Sequence, residues 1–441
     1  MLLLPTISCK KSFYTNANID PNSPSTVPSS TILSEVEVAL AYTQGGASSQ
    51  FTSMFTQQTI GNQRQAQAYY SYIFTPADPE YLWDNMYTSV MENDYTMMNQ
   101  ALTAGQNEYY AIGNILMAYS LQTCVDYWGN IPYSTALKGV GNLQPTYDNG
   151  ATLYNTTIIA LLNTGLSYLA KSPGLLFPST DDVIYGGNVT DWAQFAHAIK
   201  ARIFIHQCQQ GNVAYEDSAI QEVNESGTPG GAFVNAQVIF GSASTNNAPW
   251  FQFNNQRPEY VIFPGSTLID SMQAMNDPRD SIFVDYSAGA LGNYYGSATS
   301  PVEFITTEEL DLIAAEANVR LGSMTAAQTA YSAALVANMT KLAVPAVEAA
   351  TYIAGPEGTL PATAAAALHQ VGIQQWIDLY LNPEAWANWR RTNSPYLQPI
   401  AGNEVIRRMI YPNSEQQLNP NCPTGITIFL PQIFWDSYPT F

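Results

Sequence analysis

The sequence predicts a mostly α-helical protein in which helix pairs form a scaffold and an irregular, loop-rich lobe with few short strands interrupts them. Three features point there. From Glu108 to Tyr127 the apolar residues Ile112, Ile115, Leu116, Met117, Tyr119 and Leu121 leave no polar face, the pattern of a helix buried on several sides. Thr306 and Glu309 stand at capping-box spacing, with Ile305 and Leu310 placed as a hydrophobic staple, ahead of the stripe Leu310, Ile313, Ala314, Ala317 and Leu321. Between Glu225 and Pro301, Gly, Pro, Asn and Ser become frequent and the apolar runs are short.

In chain order, residues 1–9 (MLLLPTIS and Cys9) read as a residual lipoprotein signal. A short apolar stretch, a small residue at Ser8 and then a cysteine is the pattern in which the Cys9 thiol takes the lipid. Residues 10–31 are rich in Asn, Ser, Thr and Pro and read as a flexible tether. The folded domain is expected over 32–441. Helical patterns dominate from Ile32 to about Asn212; Gly129 supplies a helix stop, and Trp192, Phe195, Ile199, Ile203 and Phe204 repeat at helical spacing. The irregular lobe spans about 225–301. Beyond it the helix from Thr306 ends at Gly322, and Thr325 and Gln328 are expected to open a second helix by the same capping device. Two antiparallel helices in about 34 residues match the tetratricopeptide unit, and such pairs stack into a concave scaffold.

Composition narrows the function. Charged residues make up only 11% of the 441 residues, against about 25% in ordinary domains. Polarity comes from amides and hydroxyls, with 28 Tyr beside them. Such a surface suits neutral polar ligands such as sugars. With 15 basic against 35 acidic residues the net charge is -20, which disfavours nucleic acid and anionic lipid. Cys124, Cys208 and Cys422 show no paired spacing and read as isolated buried thiols.

Catalytic patterns are missing. His197, His206 and His369 occur in no metal-ligand spacing, and His197 reads as a satisfied core residue. No nucleophile elbow, phosphate loop or dinucleotide fingerprint occurs, so no metal and no cofactor is expected. Glu308, Glu309, Asp277 and Asp285 sit at helix starts or in turns, where capping and dipole compensation account for them. Arg390 and Arg391 follow Trp386 and Trp389; stacking on Trp and pairing with Glu384 is the expected role. Binding is expected on exposed aromatics, because flat ring faces match the C–H faces of pyranoses. The candidates are Tyr81 and Trp83, then Trp250, Tyr294 and Tyr295 in the irregular lobe. Tyr294-Tyr295 stands between Gly292-Asn293 and Gly296, a turn expected to hold its rings in solvent.

The segments together resemble the SusD/RagB-like outer-membrane lipoproteins, in particular their second SusD-like branch. Asn16 to Pro24 resembles that family's Asn-x-Asp-Pro-Asn start after a lipidated cysteine. Asp126 to Tyr133 is similar to its Phe-Gly-Asp-Val-Pro-Tyr motif, departing at Trp128, Asn130 and Ile131. Trp192 to Arg202 resembles its Trp-to-Arg helix, and Asn276-Asp277-Pro278-Arg279 its turn. Thr307 to Ala317, Glu384 to Pro395 (with Asn393 for Gly), Arg407 to Glu415 and Phe434-Trp435-Asp436 follow in the family's order. The resemblance implies tetratricopeptide-like helix pairs, a cell-surface nutrient-binding protein without catalysis, and a lid on a SusC-like TonB-dependent barrel. Its nutrient would be a glycan or oligosaccharide. The other readings are a glycoside hydrolase and a helical-repeat scaffold for a protein partner.

Overall fold

The computed structural model describes residues 27–171, 173–208, 214–228, 231–402 and 404–436. Cys9 and most of the tether, including Asn16 to Pro24, lie outside the described residues. Its longer helices are α1 Ser29–Thr43, α2 Glu92–Ala104, α3 Asn107–Trp128, α4 Ile159–Leu169, α5 Val189–His206, α6 Ala214–Glu225, α7 Thr307–Arg320, α8 Met324–Lys341, α9 Ala364–Asp378 and α10 Glu384–Thr392.

The expected helical class holds. α3 is buried along almost its whole length, as a helix with no polar face must be. It packs on α2 and α4; α5 joins α6, α6 leans on α7, and α7 carries both α8 and α9. Each is a neighbour in sequence or the next pair along, the stacking order of helical repeats. Ala315, Ala317, Ala327 and Ala334 are buried in the α7 and α8 pair, where small side chains let the helices approach.

Caps differ from expectation in part. The Thr306 hydroxyl accepts from the Glu309 N–H at 3.3 Å, but the Glu309 carboxylate turns to Arg202 instead of back to the cap. α8 starts one residue before Thr325, which is helical, and Gln328 serves the 358–360 loop. Gly322 does stop α7, with φ at 75°. Asn393 caps α10 at φ 50°, the left-handed backbone that Asn tolerates.

The lobe is closed at its base by two antiparallel strands, β1 Ala236–Ile239 and β2 Pro301–Ile305, with Val238 opposite Val302. Between them lie loops and two-residue strands, and also short helices where the sequence predicts irregular chain: Pro249–Gln256, Thr267–Ala274, Asp280–Phe283 and Asn293–Gly296. Phe304 and Ile305 are buried, so β2 delivers the chain into the core and straight to the Thr306 cap.

One buried group works against stability. Asp94 on α2 is fully buried, and neither carboxylate oxygen has a hydrogen-bond partner among the described residues. It crowds Gly113 of α3 beside Met97 and Met98. Burial without a counter-charge pushes its pKa well above the ordinary carboxylate value. The folded state therefore keeps a proton that the unfolded chain loses above pH ~4, and this site costs stability as pH rises through that window, by about 1.4 kcal/mol per pH unit. Asp94→Asn should be more stable than the parent, by a margin that grows from mildly acidic to neutral pH in denaturant titrations. A margin independent of pH would show that Asp94 is ionised in the fold.

Candidate functional site

Two concavities meet at Tyr294. The outer is an open groove of about 580 Å³ lined by Ser281, Asp285, Tyr286, Asn293, Tyr294 and Lys341, among others. That volume is within the range of small-molecule sites. The inner is a slot of about 40 Å³ between Trp250, Tyr294, Tyr295 and Tyr380, with Gln44, Glu303 and Asn382 at its edges.

Local structure fixes these rings. α1 ends in a wide turn at Gln44–Ser48, and Gly45 there meets β2: an added Cβ would lie 2.3 Å from the Val302 side chain, so only glycine allows the approach. The one-turn helix Asn293–Gly296 carries the two tyrosines. The Tyr294 hydroxyl donates to Glu303 Oε1 at 2.7 Å, and Lys341 Nζ donates to the other oxygen of that carboxylate at 3.0 Å. Tyr286 is 46% exposed; its hydroxyl accepts from Gln273 at 2.7 Å and donates to Asp280 at 3.2 Å. Both groove rings are therefore pinned at the hydroxyl end. Tyr295 packs edge-on against Phe283 and Tyr380, at 5.2 and 5.0 Å between centroids. The hydroxyls of Tyr295 and Tyr380 are buried with no partner among the described residues.

The five sequence candidates separate. Trp250, Tyr294 and Tyr295 come together around the slot, but they are not held out in solvent as expected. Trp250 is 5% exposed, packed on Phe253 and Phe263, and donates its indole N–H to Ser49 at 2.8 Å. The two tyrosines are drawn half under cover by Glu303 and by the Phe283–Tyr380 stack. Trp83 is buried in a different cluster, with Tyr87 at 4.6 Å and Trp128 at 4.9 Å, because it continues the apolar stripe of its helix. Tyr81, on the same helix, is 67% exposed. Tyr286 and Tyr380 were missed. Tyr286 had a signal, an aromatic in a turn of the lobe, whereas Tyr380 sits just beyond α9 and reads as core.

The polar residues of the recognised motifs build a different feature, a buried charge frame. Arg202 of α5 grips Glu309 of α7 through two bonds of 2.7 Å and also donates to the Phe304 carbonyl. His206 is bonded to Glu384 of α10 at 2.6 Å. Burial alone would lower the His206 pKa, but Glu384 and Asp126 outweigh it and hold it up at about 9. Arg391 pairs with Glu316 of α7 through hydrogen bonds, and it also lies close enough to the expected Glu384 to help lower that carboxyl's pKa. Burial opposes ionisation of Glu316, yet Arg391 and Arg320 hold its pKa down at about 2. Arg390 stacks on Trp386 and Trp435 at 3.8 and 4.7 Å, as expected of a structural arginine. Glu309, in the first turn of α7, and Asp277, which accepts the Arg279 N–H at 3.0 Å in its turn, are also ion-pair partners of Arg202 and Arg279. His197 bonds Glu222 at 2.5 Å.

Asp126, His206 and Glu384 bring ligand-type atoms within 4.8 Å of one another. Gln122, Tyr154 and Trp435 donate to the Asp126 carboxylate while His206 bonds Glu384, so the three form a hydrogen-bonded buried charge cluster. Cys124, Cys208 and Cys422 are free and buried.

The family model described as "Starch-binding associating with outer membrane" matches residues 21–412. Among solved structures, a SusD/RagB family protein from Bacteroides thetaiotaomicron is similar at 20% identity and TM-score 0.77, covering 93% of this chain and 99% of that one. A protein named as chitin-binding matches at 21% identity and TM-score 0.75, covering 89% and 95%. A chitin-binding SusD homolog from Flavobacterium johnsoniae matches at 20% identity and TM-score 0.67, covering 90% and 100%. A comparison with curated proteins gives no match. No helix among the described residues is long and apolar enough to cross a membrane. With a match over nearly the whole chain and the same fold in its structural neighbours, the chain belongs to the SusD-like family of outer-membrane-associated binding proteins.

Proposed function

We propose that this protein is a lipid-anchored, cell-surface glycan-binding protein that holds an oligosaccharide in the groove beside Tyr294 and passes it to a SusC-like TonB-dependent barrel, over which it acts as a lid. The observation that carries the binding site is the pair of hydroxyl-pinned rings, Tyr286 and Tyr294, on the walls of one open groove. Rigid aromatic faces with Ser281 and Asn293 beside them suit a neutral sugar, whose ring stacks while its hydroxyls find polar partners. The family description names starch and two structural neighbours are chitin-binding, so malto- and chito-oligosaccharides are the first ligands to try.

The site is poorly suited to glycoside hydrolysis, which needs a carboxyl group kept protonated as the acid. In the groove, the Ser287 hydroxyl and the Ser287 and Ala288 N–H groups bond Asp285 and hold its pKa below the ordinary value. Both oxygens of Glu303, beside the slot, are engaged by Tyr294 and Lys341.

Titration calorimetry with those oligosaccharides on Tyr294→Ala and Tyr286→Ala, both checked for a cooperative thermal transition, should show affinity lowered about tenfold for each ~1.4 kcal/mol of stacking removed; Tyr294→Ala should also melt lower, because it gives up the Glu303 bond and its packing on Tyr295. Unchanged affinity in both folded variants would move the site elsewhere. In mild detergent the full lipoprotein should bring down a large barrel protein from its native membrane. Repeated recovery of the protein alone, with a barrel neighbour expressed, would rule out the lid.

A further inference from the structure

A second surface stands where the described chain begins. Pro173 and Pro178 bracket Gly174-Leu175-Leu176-Phe177, and the three apolar side chains are 89%, 46% and 60% exposed. Single exposed apolar residues need no explanation, but three in a row on one loop do. The loop is built to hold them out. The buried carboxylate of Glu108 accepts the Gly174 N–H through both oxygens, at 3.1 and 3.0 Å, and Leu175 N–H donates to the Gly105 carbonyl at 3.3 Å. An added Cβ at Gly174 would meet Asn107 N at 2.6 Å and Gly105 O at 2.8 Å, so the loop can seat this tightly only with glycine there.

The first described residues hang from the same corner. Ser29 Oγ donates to the Gln106 side chain at 2.6 Å, and Gln100 Nε2 donates to the Val27 carbonyl at 3.3 Å. Val27 and Leu102 add exposed apolar surface, at 42% and 48%. Lys171 caps the Tyr168 ring at the loop's edge, 2.9 Å from its centroid. An apolar tip rimmed by tyrosine and lysine is the arrangement that seats at a bilayer interface. No Asp or Glu lies from Lys171 to Thr180, in a chain of net charge -20. A lipid on Cys9 would keep this corner within about 65 Å of the membrane, the fully extended reach of the residues between Cys9 and Val27.

We propose that the Leu175-Leu176-Phe177 loop is a membrane-docking tip that inserts into the neutral acyl–headgroup boundary and sets the protein's orientation on the lipid surface. This rests on the reading of the protein as an outer-membrane lipoprotein, and it assigns these residues to lipid, not to the glycan groove.

The test uses the full chain carrying Cys9→Ser, floated with neutral phosphatidylcholine–phosphatidylethanolamine vesicles. The expected result is partition into the vesicle fraction that persists at high salt, and a loss of about tenfold or more in Leu175→Asp/Phe177→Asp, since one acyl-chain-sized contact is already marginal. Both positions are exposed, so melting temperature should not move. No partition of the parent chain, or equal partition of the two chains, overturns the proposal. A double variant that floats normally yet, with Cys9 restored, no longer brings down a barrel protein assigns the loop to a protein partner and overturns it as well. Labelled palmitate entering the parent and not Cys9→Ser tests the lipoprotein reading separately, so the two failures are told apart.

Discussion

The fold depends on placing several guanidinium groups where water cannot reach. Arg202, Arg279, Arg390, Arg391 and Arg407 are all buried. An unpaired charge in that position costs several kcal/mol, so each dictates what must stand beside it. Arg202 requires Glu309, which ties α5 to the start of α7 at the point where β2 enters the core. Arg391 requires Glu316, which ties α10 to the middle of α7. Arg407 requires Asp436, bonded at 2.8 Å, which fastens the last described residues of the chain to the same centre. These partners are far apart in sequence, so the pairs act as long-range register marks for the helix pairs.

That frame accounts for the polar residues of the motifs spread along the chain. Asp126, Arg202, Glu309, Glu384, Arg390, Arg407 and Asp436 meet in the interior. What they hold rigid is the exit from β2 and the turn after α9. There Tyr380, Asn382 and Glu303 form the back of the slot, and Asn382 donates to the Glu303 carbonyl at 2.9 Å. The groove rings stand on that wall. The groove side chains sit on loops and short helices carried by this rigid support, as candidate binding residues commonly do.

Helical class was legible because periodicity and stops are local: the unbroken apolar run of α3 and the glycine after α7 need no knowledge of the rest of the chain. The short helices of the lobe were not legible, since four to eight residues carry too little periodicity to separate from turns. Polar residues in helices misled for a related reason. Glu309 satisfies the spacing of a capping box, but its actual partner is 107 positions away. The candidate site was half legible. Trp250, Tyr294 and Tyr295 were picked from aromatic content in a Gly- and Asn-rich lobe, and they do share one slot. Their depth was not foreseen, because burial by Phe283 and Tyr380 is set by packing across the lobe. Trp83 obeyed its helical stripe.

In the proposed function, a rigid charge frame presents pinned tyrosines to an intact sugar. A crystal structure of the protein with a bound chito- or malto-oligosaccharide tests it most directly. The account predicts an uncleaved sugar ring stacked on Tyr294 or Tyr286, with the Arg202–Glu309 and Arg391–Glu316 pairs unmoved. A ligand bound elsewhere with the groove empty, or a cleaved product in the groove, would contradict it.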